Sequence, residues 1–154
     1  YIFGGVPGEG TPSEDTTVKN ELQQKVRELG LEENIVFCGR SQDIAKSLQP
    51  FSFVVLPSYA EGTPNCLLEA MSLKKIAVAS NVGGIPEFIE DGVDGFLHEV
   101  GSARAFADKI KEILALDDAQ LDAIGEASYQ TWKREYSVEQ LIEGLVSVYR
   151  QLSL

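Results

Sequence analysis

The sequence has few residues that bind metals: it contains a single histidine, His98, and two cysteines, Cys38 and Cys66. One histidine excludes a histidine-rich metal centre, and the two cysteines stand too far apart in the chain to match a zinc-binding spacing. We therefore predict that both thiols are reduced, small side chains buried in the protein.

Basic residues are also scarce, since 13 lysines and arginines face 24 aspartates and glutamates, for a net charge of -11. A nucleic-acid surface needs a basic stripe that displaces counterions, and docking on anionic lipid needs a similar patch. The sequence shows no signal peptide, and none of its apolar runs is long enough to span a bilayer. These absences predict no nucleic-acid partner, no membrane contact through this domain and a cytoplasmic location.

The composition is that of an ordinary globular protein, 44% hydrophobic and 24% charged. A length of 154 residues is enough for one domain with a hydrophobic core. Short apolar runs alternate with helical patterns, which predicts an α/β doubly wound sheet. Strands are predicted at 1–3, 35–38, 53–56, 76–80 and 95–98. Helices are predicted over 18–29, over 43–48, from 64, from 86 and from about 106, with capping-box spacings at Asp117/Gln120 and Ser137/Gln140 starting two more.

The segment EGTPNCLLEAM is the most informative part of the sequence, because Glu61 and Glu69 bracket it. Glu61 is predicted to lie in the loop at the carboxyl end of the strand 53–56, and Glu69 just past the first helical turn. Thr63 is the predicted N-cap, with Pro64 at the first helical position. The backbone N–H groups then left free at the helix start belong to Asn65, Cys66 and Leu67.

A free helix N-terminus is a site for anions, and here carboxylates stand on both sides of it. This arrangement suits a ligand with phosphate in the middle and hydroxyl groups at both ends, as in a nucleotide-sugar. A simpler interpretation stays open, in which the glutamates are solvated or are favoured by the helix dipole alone. The helix face of Glu69 also carries Asn65, Cys66 and Ser72, which are small or polar and could line a cleft.

Two stretches, VVLPSYAEGTPNCLLEAM and IAVASNVGGIPEFIEDGVDGFL, carry a family resemblance. They resemble the C-terminal domain of retaining GT-B-type glycosyltransferases of group 1, the family-four-like enzymes. The family pattern is Glu, seven residues, Glu, a strand and a Gly-Gly-x-Pro-Glu turn, which occur here in order at Glu61, Glu69, 76–80 and 83–87. LGLEENIVFCGR and WKREYSVEQ extend the resemblance more loosely over nearly the whole chain.

The resemblance implies a Rossmann-like doubly wound parallel sheet, the C-terminal half of a GT-B fold, and a hexosyltransferase-type activity in polysaccharide biosynthesis. It implies that Glu61 is the catalytic-site carboxylate that binds donor-sugar hydroxyls and that Glu69 binds the ribose. The donor phosphate would lie against the helix start, and no cofactor or metal is implied. The other residues implied to bind the donor are Gly39, Arg40, Gly62, Thr63, Pro64, Asn65, Cys66 and Leu67.

EGTPN replaces the commoner EGFG-type sequence, so the donor-sugar contacts are expected to differ from those of close relatives. The resemblance places Gly39 and Arg40 against the nucleotide base, at the carboxyl edge where open α/β sheets bind ligands. For Arg40 an ordinary surface charge is an equal alternative.

The resemblance also implies that residues 1–154 form a partial donor-binding domain, because Tyr1 opens directly with what looks like the family's second strand. The first strand, its basic loop and the N-terminal domain that binds a saccharide or lipid-linked acceptor have no counterpart here. We therefore expect weak or undetectable donor binding and no sugar transfer by this chain alone.

Three other functions stay open from the sequence. A GT-B-fold sugar-nucleotide epimerase shares the cleft, although usually without this glutamate spacing. A phospho-receiver signalling module is also doubly wound, but it needs an Asp at the end of its third strand, where this chain has Pro57 and Ser58. A non-catalytic interaction domain is the third alternative.

Overall fold

The computed structural model describes residues 1–3, 15–39 and 41–152, with the side chains of 15–17 left out. The chain forms two compact units, Tyr1–Ile44 and Ala45–Leu154.

The first unit contains strand β1 (Ile2–Phe3), helix α1 (Asp15–Glu28) and strand β2 (Phe37–Gly39), and β1 pairs with β2 in parallel. As the sequence predicts, α1 is followed by Gly30 in the left-handed region, at φ 65°. The predicted strand at 35–38 begins two residues later. The reason is that the N–H of Ile35 donates to the carbonyl of Leu31 at 3.1 Å, in the turn that follows α1.

The prediction that Cys38 is buried is wrong. Side chains alternate between the two faces of a strand, and on β2 the half-buried residues are Phe37 and Gly39. Cys38 faces the other way and is exposed as a free thiol.

The second unit has a three-stranded parallel sheet in the order β3-β4-β5. Because the strands are parallel, their carboxyl ends meet at one edge of the sheet. The 3₁₀ turn Ile85–Glu87 follows β4. The elements, in chain order, are α2 (Ile44–Leu48), β3 (Phe53–Leu56), α3 (Asn65–Ser72), β4 (Ile76–Ser80), β5 (Phe96–His98), α4 (Ala103–Leu114), α5 (Asp118–Glu135) and α6 (Val138–Leu152).

Strand β4 is the centre of this unit, and all five of its residues are buried. Ala77 and Ala79 face one apolar cluster, which α3 supplies with Leu67 and Met71. Ile85, Phe88 and Ile89 belong to this first cluster. Ile76 and Val78 face a second cluster, which also contains Phe96 and to which α4 contributes Ile113. Helices thus pack on both faces of a parallel sheet, which is the doubly wound arrangement that the alternating pattern predicts.

The two predicted capping boxes have different outcomes. At the start of α5 the Asp117 carboxylate accepts from the N–H of Gln120 at 2.8 Å, and the Gln120 side chain accepts from the N–H of Asp117 at 3.0 Å. At the start of α6 the Ser137 hydroxyl oxygen accepts from the N–H of Gln140 at 3.4 Å, but the Gln140 amide donates to Glu143 instead. The second box is therefore only half formed.

Candidate active site

The candidate site lies in the second unit, where the loop after β3 leads into α3. Glu61 stands in this loop at the carboxyl edge of the sheet, as predicted, and its side chain is half-buried. The hydroxyl of Ser58 donates to Glu61 Oε1 at 2.7 Å. The neighbouring Gly62 and Thr63 are exposed, whereas Pro64 is buried.

Helix α3 starts one residue later than the sequence predicts, and Thr63 does not cap it. Pro64 is the N-cap, at φ -75° and ψ 104°, and no side chain makes a capping hydrogen bond. The Pro64 carbonyl accepts from the N–H groups of Leu67 at 2.9 Å and of Leu68 at 3.4 Å. The N–H of Leu67 is therefore not free, and the predicted set of three free N–H groups narrows to those of Asn65 and Cys66.

The thiol of Cys66 is affected by the charges of both glutamates. Cys66 and Glu69 are half-buried, as is Glu61, while Asn65 is exposed. Burial raises the pKa of the Cys66 thiol, and the negative charges of Glu61 and Glu69 raise it further, against the lowering effect of the nearby backbone N–H groups of Leu67 and Cys66 itself. The charges of Glu61 and Glu69 therefore both act on the thiol of Cys66, the second residue of α3.

The turn after β4 supports this loop from the side, a contact that sequence reasoning missed. The N–H of Gly84 donates to the carbonyl of Glu61 at 3.3 Å. A Cβ at Gly83 would overlap the carbonyl oxygen of Glu61, and a Cβ at Gly84 would overlap that of Gly62. The Gly-Gly pair is visible in the sequence, but its partner is more than twenty residues away along the chain.

The arrangement combines acceptors for hydroxyl groups with donors for an anion. Carboxylates accept hydrogen bonds from hydroxyls, and unpaired N–H groups at a helix start bind phosphate. In the described part of the chain, no group of His, Cys, Asp and Glu side chains has the geometry to hold a metal ion. Over the same residues, none of the helices combines the length and apolarity that crossing a membrane requires.

The contacts of His98 are structural, and this residue is not part of the candidate site. Its side chain is buried at the end of β5, with Nδ1 2.9 Å from the carbonyl oxygen of Glu99 and Nε2 3.5 Å from the hydroxyl of Ser80. Its ring packs on Phe106, with centroids 5.0 Å apart.

Two other predicted residues belong to the first unit. Gly39 ends β2 in the left-handed region, at φ 70°, a conformation that favours glycine. Its contact with a nucleotide base remains a prediction. Arg40 lies outside the described residues.

An apolar groove of about 840 Å³ borders the site without including its carboxylates. Thr63 and Leu68 line it on one side and α6 on the other. No residue of α6 is buried, although its sequence is strongly amphipathic. The two glutamates and the apolar groove therefore form separate features.

The parallel sheet, with helices on both faces and a polar helix start at its carboxyl edge, defines a Rossmann-like α/β protein. The family model described as glycosyl transferases group 1 matches residues 5–116, and the chain belongs to this family. Similar solved structures are GT-B glycosyltransferases, so the predicted fold class is confirmed.

Two solved structures illustrate the similarity. Anabaena HepE in complex with UDP and glucose has a TM-score of 0.80 and 29% identity, over 94% of this chain and 39% of that protein. The C-terminal domain of the group 1 glycosyl transferase LpcC from Francisella tularensis has a TM-score of 0.74 and 33% identity, over 83% of this chain and 66% of that one.

Curated relatives are longer than this chain. The N-acetyl-alpha-D-glucosaminyl L-malate synthase of Bacillus anthracis is 29% identical over 128 residues, which are 83% of this chain and 33% of the relative. The poly(ribitol-phosphate) alpha-N-acetylglucosaminyltransferase of Staphylococcus aureus is 29% identical over 143 residues, 92% of this chain and 28% of the relative. The chain thus spans about a third of the length of these relatives.

Proposed function

We propose that this chain is the donor-binding half of a retaining glycosyltransferase that takes a nucleoside-diphosphate sugar. The observation that carries the proposal is the start of α3, which no side chain caps, with the half-buried Glu61 in the loop before it and the half-buried Glu69 one turn along it. Membership of the group 1 family and the likeness to HepE, described with bound UDP and glucose, support it.

Each part of the site takes one part of the donor. The free N–H groups of Asn65 and Cys66 hold the distal phosphate, where the positive end of the α3 dipole favours negative charge. Glu61 accepts hydrogen bonds from the hydroxyls of the transferred sugar. Glu69, one turn along α3, accepts from the two ribose hydroxyls.

The chemistry needs no nucleophilic side chain in this half. Transfer breaks the bond between the anomeric carbon and the diphosphate, and the helix start stabilises the charge that develops on the leaving diphosphate. Glu61 contributes by orienting the sugar for attack by the acceptor hydroxyl. We propose a saccharide or lipid-linked acceptor, in polysaccharide biosynthesis in the cytoplasm, and no metal requirement.

The negative charge of the chain bears on affinity. With a net charge of -11, the chain repels an anionic donor at long range, and the two N–H groups offset this only locally. We therefore propose that basic residues outside these 154 residues complete the phosphate site, and that this chain alone binds donors weakly and does not transfer sugar.

Saturation-transfer NMR with UDP, ADP, GDP and UDP-glucose tests the donor site, because the method detects weak ligands. We expect at least one nucleotide to receive saturation from the wild-type chain. Glu69→Gln should lower the ribose signals, and Glu61→Gln should lower the glucose signals of UDP-glucose. Glu139→Gln, an equal charge change on exposed α6, is the matched control and should preserve both. Equal signals in all four proteins would contradict the proposal.

A further inference from the structure

The loop that carries Glu61 is held at two points, one on its side chain and one on its main chain. Ser58 binds the carboxylate at Oε1, with 2.7 Å between the oxygens. The N–H of Gly84 binds the Glu61 carbonyl at 3.3 Å. Together these two contacts restrict where the carboxylate lies and which way it points.

The requirement for glycine at 84 is steric rather than conformational. Gly84 has φ -80° and ψ -8°, a right-handed conformation that any residue adopts. A side chain is nevertheless excluded, because a Cβ there would overlap the carbonyl oxygen of Gly62. The turn after β4 therefore packs directly against the backbone on the carboxyl side of Glu61.

The contact at Ser58 leaves Glu61 able to bind a ligand. Ser58 donates to Oε1, and the structure shows no hydrogen bond to Oε2 from the described residues. A carboxylate has about four acceptor positions, so one hydroxyl donor occupies only part of its capacity. Ser58 thus orients Glu61 without neutralising it.

We propose that Ser58 and Gly84 are positioning residues that hold the Glu61 carboxylate at the donor sugar. The inference rests on the proposed function, since it assumes that Glu61 contacts the sugar. It also makes a distinction within that function: both residues act on the loop after β3, whereas Asn65, Cys66 and Glu69 stand on α3. Losing either contact should weaken binding of the sugar moiety and leave binding of the nucleotide moiety unchanged.

NMR titrations of the labelled 154-residue chain with UDP and with UDP-glucose test this, because they measure dissociation constants even in the millimolar range. The quantity compared is the ratio of the UDP-glucose Kd to the UDP Kd. Ser58→Ala and Gly84→Ala should each raise this ratio by roughly two- to tenfold, the worth of one hydrogen bond. Ser58→Thr keeps the hydroxyl and should restore the wild-type ratio.

Two controls define the limits of the effect. Glu61→Gln sets the largest change expected from this loop. Gly144→Ala adds a methyl group in α6, where a Cβ meets nothing within 4 Å, and should leave the ratio unchanged. If Gly84→Ala does not fold, Gly84 is a structural residue and its positioning role is overturned, while wild type, Ser58→Ala and Ser58→Thr decide the role of Ser58.

The outcomes separate the inference from the function on which it rests. A ratio that rises in Glu61→Gln but stays at the wild-type value in Ser58→Ala would overturn the positioning role alone. A ratio that Glu61→Gln leaves unchanged, or no binding of any of UDP, ADP, GDP and UDP-glucose, would overturn the donor-site proposal and the positioning role with it. A loss of UDP affinity equal to the loss of UDP-glucose affinity in Ser58→Ala would show a general structural effect and would also overturn the inference.

Discussion

The starts of helices α3 and α5 differ in how their N–H groups are satisfied. At α5 the capping box of Asp117 and Gln120 closes both reciprocal hydrogen bonds within the chain. At α3 the N-cap is Pro64, no side chain caps the helix, and the N–H groups of Asn65 and Cys66 have no backbone acceptor among the described residues. At α5 side chains thus serve the N–H groups of Asp117 and Gln120, whereas at α3 no side chain makes a capping hydrogen bond.

The two helix starts also differ in their location in the fold. The α5 start is exposed on the surface, and its Asp117 carboxylate accepts a hydrogen bond from its own helix backbone. The α3 start lies at the carboxyl edge of the parallel sheet, between two half-buried carboxylates. We infer that the Asp117 cap contributes to stability and the α3 start to ligand binding, and mutations at the two starts should separate these properties.

The largest expected effect is that of Glu69→Ala on nucleotide binding. A carboxylate that accepts from two ribose hydroxyls loses two charge-assisted bonds, each worth about 1.5–3 kcal/mol. Nucleoside diphosphate binding should therefore weaken by about a hundredfold or more, with nearly unchanged melting temperature, because Glu69 is not part of either core cluster. Calorimetry, on a longer chain if this one binds too weakly, measures the first and thermal unfolding the second. Unchanged affinity would rule out the ribose role.

Asp117→Ala should have the opposite profile. Loss of an N-cap costs about 1 kcal/mol, so the free energy of unfolding should fall by that amount in urea titrations. Nucleotide affinity should match that of the wild type. A variant that unfolds as the wild type does, or that loses nucleotide binding while folded, would contradict the assignment of this helix start to stability.

A smaller effect is expected at the Cys66 thiol, and it needs no ligand. Burial raises the pKa of this thiol, and the negative charges of Glu61 and Glu69 raise it further, so that the reactive thiolate is scarce at neutral pH. Removing either charge lowers the pKa, and alkylation by neutral iodoacetamide should become faster in Glu61→Gln and in Glu69→Gln. The background is Cys38→Ser, because Cys38 is exposed and would also react.

Glu139→Gln in the same background is the charge-matched control. Its Cys66 thiol should be alkylated at the rate measured in the Cys38→Ser parent. If Glu61→Gln and Glu69→Gln also react at that rate, the two carboxylates do not share a site with Cys66.

Much of the fold follows from local sequence signals. The apolar run 53–56 ends at Pro57, and the run 76–80 follows two lysines, so the bounds of β3 and β4 are those predicted. The Asp117 capping box also depends on neighbours three residues apart. In each of these cases the residues that decide the structure are adjacent or one turn apart.

The errors have a different origin, because they involve contacts that local patterns do not contain. The N-cap of α3 is Pro64 rather than Thr63, because the Pro64 carbonyl accepts the first hydrogen bonds of the helix. The contact of Gly84 with the Glu61 loop joins the ends of two neighbouring strands, which only the folded sheet brings together. Similarly, the capping-box spacing at Ser137 and Gln140 correctly predicts the helix α6, but it does not show that this helix buries none of its apolar side chains.

The site was predictable in its residues more than in its geometry. The spacing of Glu61 and Glu69 places both near one helix start, and the structure shows both within electrostatic reach of Cys66. The number of free N–H groups and the supports of the loop required the structure. The roles of these residues in donor binding remain predictions.

Backbone NMR of the labelled chain during titration with UDP-glucose tests the central claim most directly, because it compares the two helix starts in one experiment. We predict that the largest shift changes occur at the amides of Asn65 and Cys66, with smaller changes at Glu61 and Glu69. The Gln120 amide, which is bound by Asp117, should not move. Shifts centred on α5 or α6, or a titration without changes at Asn65 and Cys66, would contradict the assignment of the α3 start as the donor site.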